Sequence, residues 1–157
     1  MTTDIDQILA SEAETVRLQR SLAASRDAVF RAWTDPQEFL AWWQPSPYRT
    51  VAVEMDVRVG GGYRITMEDP SGGRQYLFGT YLAVEPGKRL SMTWRLSGSE
   101  ADDGYVAILT IELRESDAGT ELALLHERLP RSSLAMYSAG WLDVLDRLVQ
   151  HLRWIAT

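Results

Sequence analysis

Alternation of apolar and polar residues dominates the chain and predicts antiparallel strands. The first alternating run spans residues 15–22. Further runs occupy the region from residue 51 to residue 129, where turn sequences rich in glycine, proline and aspartate separate them. The strands predicted there are 51–57, 63–67, 74–85, 89–96, 105–113 and 120–129. A polar, acidic loop over 98–104 joins two of these strands.

Three other segments show helical spacing of apolar residues. Ser25 is a natural N-cap for a helix over 26–33, and Pro36 after Asp35 begins a second short helix over 36–43. Apolar residues at steps of three and four over 132–155 predict a long amphipathic helix at the C-terminus. Such a helix must lie on an apolar surface.

The order of these elements predicts an α+β fold. A curved antiparallel sheet of about seven strands, wrapped around the C-terminal helix, buries all the apolar faces at once. A straight helix cannot follow a curved sheet along its whole length, so we expect an internal cavity between them. The length of 157 residues fits one domain, which we assign to residues 14–157. Residues 1–13 form a leader for which disorder is one option.

Charge and residue types narrow the possible functions. The net charge of -6 disfavours nucleic-acid partners and anionic membrane surfaces, which are bound by basic patches. The chain has no cysteine, and its two histidines, His126 and His151, are not spaced as a local metal-binding pair. We therefore expect no metal and no cofactor. No secretory signal or membrane span is predicted, so we expect a cytoplasmic protein.

The most unusual stretch reads FLAWWQPSPY and places Trp42 and Trp43 just before two prolines. Neighbouring residues of a helix point about 100° apart, so the two indoles cannot share one pocket. We expect Trp42 to anchor the short helix and Trp43 to line the mouth of the cavity. The alternative is that one of them is exposed at a dimer or chaperone interface.

One set of residues, in its order and spacing along the chain, carries a family resemblance: Arg20, the run 28–36, Trp42, Trp43, Pro45, the run 60–63, the run 79–94, Gly119, Thr120, His126, Gly140, Trp141 and Leu145. Together with the order of elements, this set resembles the START-like (SRPBCC) helix-grip superfamily, in the branch of the heat-shock-protein-90 ATPase activator homologues. Gln44 stands where the branch commonly has glycine. The resemblance covers about residues 15 to 150, and it implies a deep, mostly apolar cavity that binds hydrophobic molecules. Many members are small bacterial proteins without an assigned activity.

Three functions remain open. The first is a non-enzymatic carrier or sensor that binds a small hydrophobic molecule between sheet and helix. The second is a polyketide-type cyclase, dehydratase or hydrolase that uses His126 and a tyrosine such as Tyr105 as acid and base. The third, suggested by the family name, is a module that regulates a chaperone ATPase, although a chaperone partner is not favoured. A homodimer is compatible with all three.

The residues predicted to contact a ligand are those whose strand parity or helical position turns them toward the expected cavity. They are Trp43, Met55, Tyr63, Ile65, Met67, Tyr76, Phe78, Met92, Trp94, Tyr105, Leu109, His126, Tyr137 and Trp141. Parity also turns the polar side chain of Asp69 toward the cavity. Methionine thioethers beside aromatic rings make an adaptable wall, which suits flat hydrophobic ligands.

Overall fold

The computed structural model describes residues 14–97 and 106–156, and the sheet is the centre of this part of the chain. Its strands are β1 (Val16–Leu22), β2 (Arg49–Met55), β3 (Gly62–Glu68), β4 (Arg74–Glu85), β5 (Arg89–Ser97), β6 (Ala107–Ser116) and β7 (Gly119–Glu127). All neighbouring strands are antiparallel, in the order β1-β7-β6-β5-β4-β3-β2. The open sheet therefore has β1 and β2 as its edges.

The inner face of the sheet carries a continuous row of buried side chains. Met92 on β5 pairs with Leu109 on β6, Leu109 pairs with His126 on β7, and His126 pairs with Val16 on β1. All four residues are buried. Residues directly opposite each other in antiparallel strands point to the same face, so His126 lies in the middle of an apolar row.

Two short helices follow β1, and both begin at the predicted caps. In α1 (Arg26–Thr34), the side chain of Ser25 accepts a hydrogen bond from the backbone N–H of Ala28 at 3.2 Å. In α2 (Pro36–Trp42), the Asp35 carboxylate accepts from the N–H of Gln37 at 2.9 Å and from that of Glu38 at 3.2 Å. These bonds satisfy N–H groups that have no partner inside the helix.

The long helix α3 spans Leu134–Ala156 and follows a single 3-10 turn at Arg131–Ser133. Its apolar face packs on β1, α1 and α2. The buried residues of this face are Trp141, Val144, Leu145, Leu148 and Leu152. Because these positions recur at steps of three and four, they form one stripe along the helix.

Gly79 marks a close approach between β4 and β5. A Cβ atom at this position would lie 2.1 Å from the backbone oxygen of Thr93, so only glycine fits without a shift of the backbone. The register of the two strands also changes between Tyr81 and Ala83. Irregularities of this kind bend a strand and increase its twist, and they help to curve the sheet.

The α+β fold class, the curved sheet of seven strands and the two short helices after the first strand are confirmed. The prediction that Tyr76 and Phe78 face the C-terminal helix is wrong. Ile65 pairs with Leu77 on the inner face, so the side chains on either side of Leu77 point to the outer face. The leader over residues 1–13 and the loop over 98–104 lie outside the described residues.

Candidate functional site

A cluster of aromatic side chains, here called the aromatic cluster, lies between the inner face of the sheet and α3. Its members are Trp43, Trp94, His126, Tyr137 and Trp141. The ring centroid of Trp43 lies 5.7 Å from that of Trp94 and 5.4 Å from that of Trp141. The rings of Trp94 and Trp141 are 5.5 Å apart. These distances are those of interacting aromatic pairs, so the side chains form one connected group.

Four separate elements place these side chains. Trp94 comes from β5 and His126 from β7, whereas Trp43 directly follows α2. Tyr137 and Trp141 come from α3, where a spacing of four residues puts them on one side of the helix. The His126 ring is 4.9 Å from Trp94 and 5.0 Å from Tyr137. The cluster therefore forms only when sheet, short helices and long helix have come together.

His126 holds the deepest polar atoms of the aromatic cluster. The indole Nε1–H of Trp141 donates to His126 Nδ1 at 3.0 Å. An indole N–H can only donate, so Nδ1 carries no proton and the neutral ring carries its hydrogen on Nε2. That second nitrogen is buried and has no hydrogen-bond partner within the described chain. The imidazole thus presents one N–H donor.

Burial also decides the charge of His126. The side chain is fully buried, and its removal from water lowers the pKa of the imidazole to about 3. A ring with so low a pKa stays neutral at physiological pH. Its low pKa makes it a weak proton acceptor. General bases work best with a pKa near the working pH, so this ring is poorly suited to that role. The geometry therefore favours His126 as a hydrogen-bond donor over His126 as a base.

The tyrosines near the cluster are also neutral. Tyr63 donates its hydroxyl hydrogen to the backbone oxygen of Thr93 at 2.5 Å. Burial raises the pKa of Tyr63 well above its usual value, and the neighbouring Tyr81 and Tyr137 raise it further. Burial likewise raises the pKa of Tyr137, although a hydrogen bond from Trp94 at 3.3 Å opposes this shift. None of these hydroxyls is prepared to lose its proton.

Trp42 and Trp43 have different roles in the structure. Trp42 is buried and donates its Nε1–H to the backbone oxygen of Ala32 at 2.8 Å, which fastens α2 to α1. Trp43 is also buried, with 5% of its surface exposed, so it lies inside the protein and not at a solvent-exposed mouth. Its Nε1–H has no partner within the described chain. Neither indole is exposed for a partner protein.

Gln44 holds the chain that leaves Trp43, a role that the sequence did not suggest. Its side-chain nitrogen donates to the backbone oxygen of Leu40 at 2.8 Å, and its side-chain oxygen accepts from the N–H of Thr50 at 3.0 Å. The hydroxyl of Thr50 donates to the backbone oxygen of Trp43. The N–H of Ser46 donates to Asp143 on α3 at 3.1 Å. A polar network therefore fixes the position of Trp43.

The other predicted ligand contacts fall into three groups. Ile65, Met67, Met92 and Leu109 are buried on the inner face, and Met55 is half-buried. On the outer face, the guanidinium of Arg64 lies 4.5 Å from the ring centre of Tyr76, and that of Arg95 lies 5.6 Å from that of Phe78. Tyr105 lies outside the described residues.

Asp69 does not face the interior either. It occupies the turn after β3, where its carboxylate accepts hydrogen bonds from the N–H and the hydroxyl of Ser71 and from the N–H of Gly73. The bond from the Ser71 hydroxyl is the main reason that the pKa of Asp69 is lowered. Its role is to shape the turn.

An open concavity of about 440 Å³ lies at one end of the β2–β3 pair. Its lining includes Met55 and Tyr63, which are two of the predicted ligand contacts, together with the charged residues Glu54, Asp56 and Arg64. Tyr63 also belongs to the buried tyrosines near the aromatic cluster. This side of the sheet is therefore one place where the interior approaches the surface.

A metal-binding group and a membrane-spanning helix are both absent from the part of the chain that the structure describes. No group of three histidine, aspartate or glutamate side chains is placed so that it could hold a metal ion. No helix within 14–97 or 106–156 is both long and apolar enough to cross a membrane.

Comparison with known proteins identifies relatives of the whole domain. The model of the family described as activator of Hsp90 ATPase homolog 1-like protein matches residues 23–153. A crystal structure of a Chromobacterium violaceum protein is 31% identical, with a TM-score of 0.81 over 88% of this chain and 97% of that one. The chain has no significant match among curated proteins.

Two more distant structures share the fold. A Nitrosomonas europaea protein is 24% identical, with a TM-score of 0.78 over 91% of this chain and 96% of that one. The solution structure of an AHSA1-like protein from Aeromonas hydrophila is 23% identical, with a TM-score of 0.76 over 90% of this chain and 94% of that one. Each relative is covered almost completely.

Proposed function

Since this chain belongs to the family of activator of Hsp90 ATPase homolog 1-like proteins, we propose that it binds a small apolar molecule between the inner face of the sheet and α3. The binding site in this proposal is the aromatic cluster. Its floor is the inner-face row that contains Met92 and Leu109. The protein then acts as a cytoplasmic carrier or sensor of that molecule.

The observation that carries the proposal is the convergence of five aromatic rings from four elements on one place. Trp43, Trp94 and Trp141 approach one another within 5.4–5.7 Å. Large flat side chains with little conformational freedom are typical of sites that bind apolar ligands. Met67 and Met92, both buried on the same face, add flexible thioethers that can adapt to a ligand's shape.

The enzymatic alternative receives less support from the same residues. A cyclase or hydrolase needs a group that accepts a proton near neutral pH. The pKa of His126 is about 3, and its Nδ1 lone pair already accepts the Trp141 indole N–H. The buried tyrosines hold their protons more strongly than usual. Binding without chemical conversion therefore fits the cluster better.

Titration with the neutral apolar dye N-phenyl-1-naphthylamine tests the proposal. Dye bound in the aromatic cluster should accept excitation energy from the surrounding tryptophans and should saturate at one molecule per chain. We expect Trp43→Ala to weaken binding at least about tenfold, because it removes a wall of the site. The matched control is Trp154→Ala, since Trp154 lies near the end of α3 with 79% of its surface exposed.

The wild-type result alone can overturn the proposal. Absence of saturable binding, in protein whose near-ultraviolet circular dichroism shows packed tryptophans, would contradict it. Equal weakening by Trp43→Ala and Trp154→Ala would place the dye on the surface instead. If Trp43→Ala does not fold, Trp43→Leu keeps an apolar side chain there and serves the same comparison.

A further inference from the structure

We infer that the ligand of the aromatic cluster carries a neutral hydrogen-bond acceptor, of the carbonyl class, that accepts the Nε2–H of His126. The inference rests on the proposed function and adds the chemistry of the ligand's polar end. It makes His126 a specificity-determining residue. The ligand class is then a mostly apolar, flat molecule with a ketone, ester or amide oxygen.

The hydrogen bond between Trp141 and His126 can have only one direction. Because the indole can only donate, His126 Nδ1 must accept, and the ring hydrogen must sit on Nε2. The hydrogen bond from Trp141 thus fixes the tautomer of the imidazole, as a bond to one ring nitrogen does in many functional histidines. The resulting N–H is fully buried with the rest of the side chain.

The Nε2–H of His126 is costly to leave without a hydrogen-bond partner. A buried N–H with no acceptor costs free energy comparable to a lost hydrogen bond, and such groups are rare in native proteins. Nε2 of His126 has no acceptor within the described chain. An acceptor that comes from outside the chain removes the cost. A ligand whose oxygen accepts this hydrogen bond therefore binds more tightly than a ligand of equal shape that has an apolar group there.

The lack of charge in the aromatic cluster limits the polar groups that a ligand can carry there. The five members of the aromatic cluster contain no ionised side chain, because His126 is neutral and the others are tryptophans and a tyrosine. A carboxylate ligand would lose its hydration without meeting a cation, which is costly in an apolar site. An ammonium group would meet no carboxylate there. A neutral acceptor is the polar group that the cluster can accommodate.

Trp43 supplies a second donor of the same kind. Its Nε1–H is buried and has no partner within the described chain. Its ring contacts Trp94 and Trp141, and the ring of His126 contacts the same two indoles. Among the described side chains of the aromatic cluster, the buried polar atoms without a partner are these two donors, so the site has one hydrogen-bonding polarity.

The test compares two ligands of nearly equal shape, 2-acetylnaphthalene and 2-ethylnaphthalene, by displacement of N-phenyl-1-naphthylamine. The compounds differ in hydrophobicity, so a single ratio of Kd values is not informative. The informative quotient is the Kd of 2-ethylnaphthalene over the Kd of 2-acetylnaphthalene in the wild type, divided by the same ratio in His126→Phe. We expect this quotient to be about 5 to 10, the usual value of one buried hydrogen bond. The double variant His126→Phe, Trp141→Phe also removes the indole N–H that loses its acceptor in the single variant, and it should give the same quotient.

A spectroscopic readout leaves the aromatic cluster itself unsubstituted. The chain has two histidines, so protein labelled with ¹⁵N-histidine gives a simple spectrum, in which His151→Gln identifies the signals of His126. Both ligands bring an aromatic ring near His126, so the difference between their effects is the informative quantity. We expect the Nε2–H proton resonance of His126 to lie further downfield with bound 2-acetylnaphthalene than with bound 2-ethylnaphthalene, because the ketone oxygen accepts its hydrogen bond.

The possible outcomes separate the inference from the proposed function. A quotient near one, with the same Nε2–H resonance for both bound compounds, would overturn the carbonyl inference and leave the proposed function intact. Tighter binding of 2-naphthoate than of the ketone would also overturn it. Failure of all these compounds and of the dye to bind would overturn the proposed function itself.

Discussion

Trp141 on α3 donates its indole N–H to Nδ1 of His126 on β7, across 3.0 Å of buried space. This bond links the long helix to β7, the strand beside the edge strand β1. It also leaves the other imidazole nitrogen as a donor in the aromatic cluster. One contact therefore contributes to both the stability of the domain and the chemistry of its proposed site.

Removal of the indole N–H should destabilise the protein. Trp141→Phe keeps an aromatic ring but leaves His126 Nδ1 without its donor, so we expect the free energy of unfolding to fall by about 1–3 kcal/mol. Urea denaturation followed by circular dichroism measures the change. The control is Leu142→Ala, because Leu142 is the next residue but is half-exposed, and we expect less than about 0.5 kcal/mol for it. Equal effects of the two substitutions would contradict this role of the bond.

Stability should depend on the protonation of His126. The pKa of this ring is about 3 in the folded protein, against about 6.5 in an unfolded chain. Between these values the unfolded chain binds a proton that the folded chain does not. The contribution of the neutral His126 to the free energy of unfolding is therefore complete above about pH 6.5. It is lost as the pH falls toward 3, at about 1.4 kcal/mol per pH unit.

Urea denaturation of the wild type and His126→Phe at about pH 6.5, 5.5 and 4.5 measures this contribution. Both proteins share the same carboxylates, so the difference between their slopes isolates the histidine. We expect the variant to lose less stability on acidification. Parallel loss in the two proteins would show that His126 is not buried in its neutral form.

The two adjacent tryptophans should respond differently to the same substitution. Trp42→Phe removes the hydrogen bond to the backbone oxygen of Ala32, whereas Trp43→Phe removes no hydrogen bond within the described chain. Both side chains are buried, so the loss of ring volume is similar. We expect Trp42→Phe to be more destabilising by about 1 kcal/mol. Thermal and urea unfolding of the two variants measures the difference. A larger loss of stability in Trp43→Phe than in Trp42→Phe would contradict the anchoring role of Trp42.

Gly79 should not tolerate a side chain. Gly79→Ala brings a Cβ atom to 2.1 Å from the Thr93 oxygen, which belongs to the backbone and cannot move aside cheaply. We expect a loss of about 2 kcal/mol or more, in line with overpacking at other close contacts. Gly140→Ala is the matched control, since no described atom beyond the adjacent helix backbone and chain neighbours lies within 4 Å of its added Cβ, and alanine favours a helix by about 0.5–1 kcal/mol. A mild effect at Gly79 would mean that β4 and β5 are less closely apposed there.

Strand parity predicted the inner face well where apolar and polar residues alternate. Leu109 and His126 fall on it because their strands alternate cleanly and pair in register. The run Tyr76, Leu77, Phe78 does not alternate, so parity alone could not decide which side faces inward. The outward rings pack against arginine side chains, which cover an apolar surface that a sequence pattern would place inside.

The arrangement of the candidate site was only partly predictable. All five members of the aromatic cluster could be named from the sequence, because bulky residues at inward positions are few. The donor role of His126 could not, since it depends on Trp141, a residue on another element whose position is set by the packing of α3. The buried position of Trp43 depends in the same way on the network around Gln44.

The indole N–H signals of the protein test most directly whether a ligand occupies the aromatic cluster. The chain has six tryptophans, and single substitutions assign their signals in a ¹H–¹⁵N spectrum. We expect saturation with N-phenyl-1-naphthylamine to shift the signals of Trp43, Trp94 and Trp141 and to leave that of Trp154 in place. Shifts confined to Trp154, or no shift in any indole signal, would contradict the claim that the space between the sheet and α3 is a binding site.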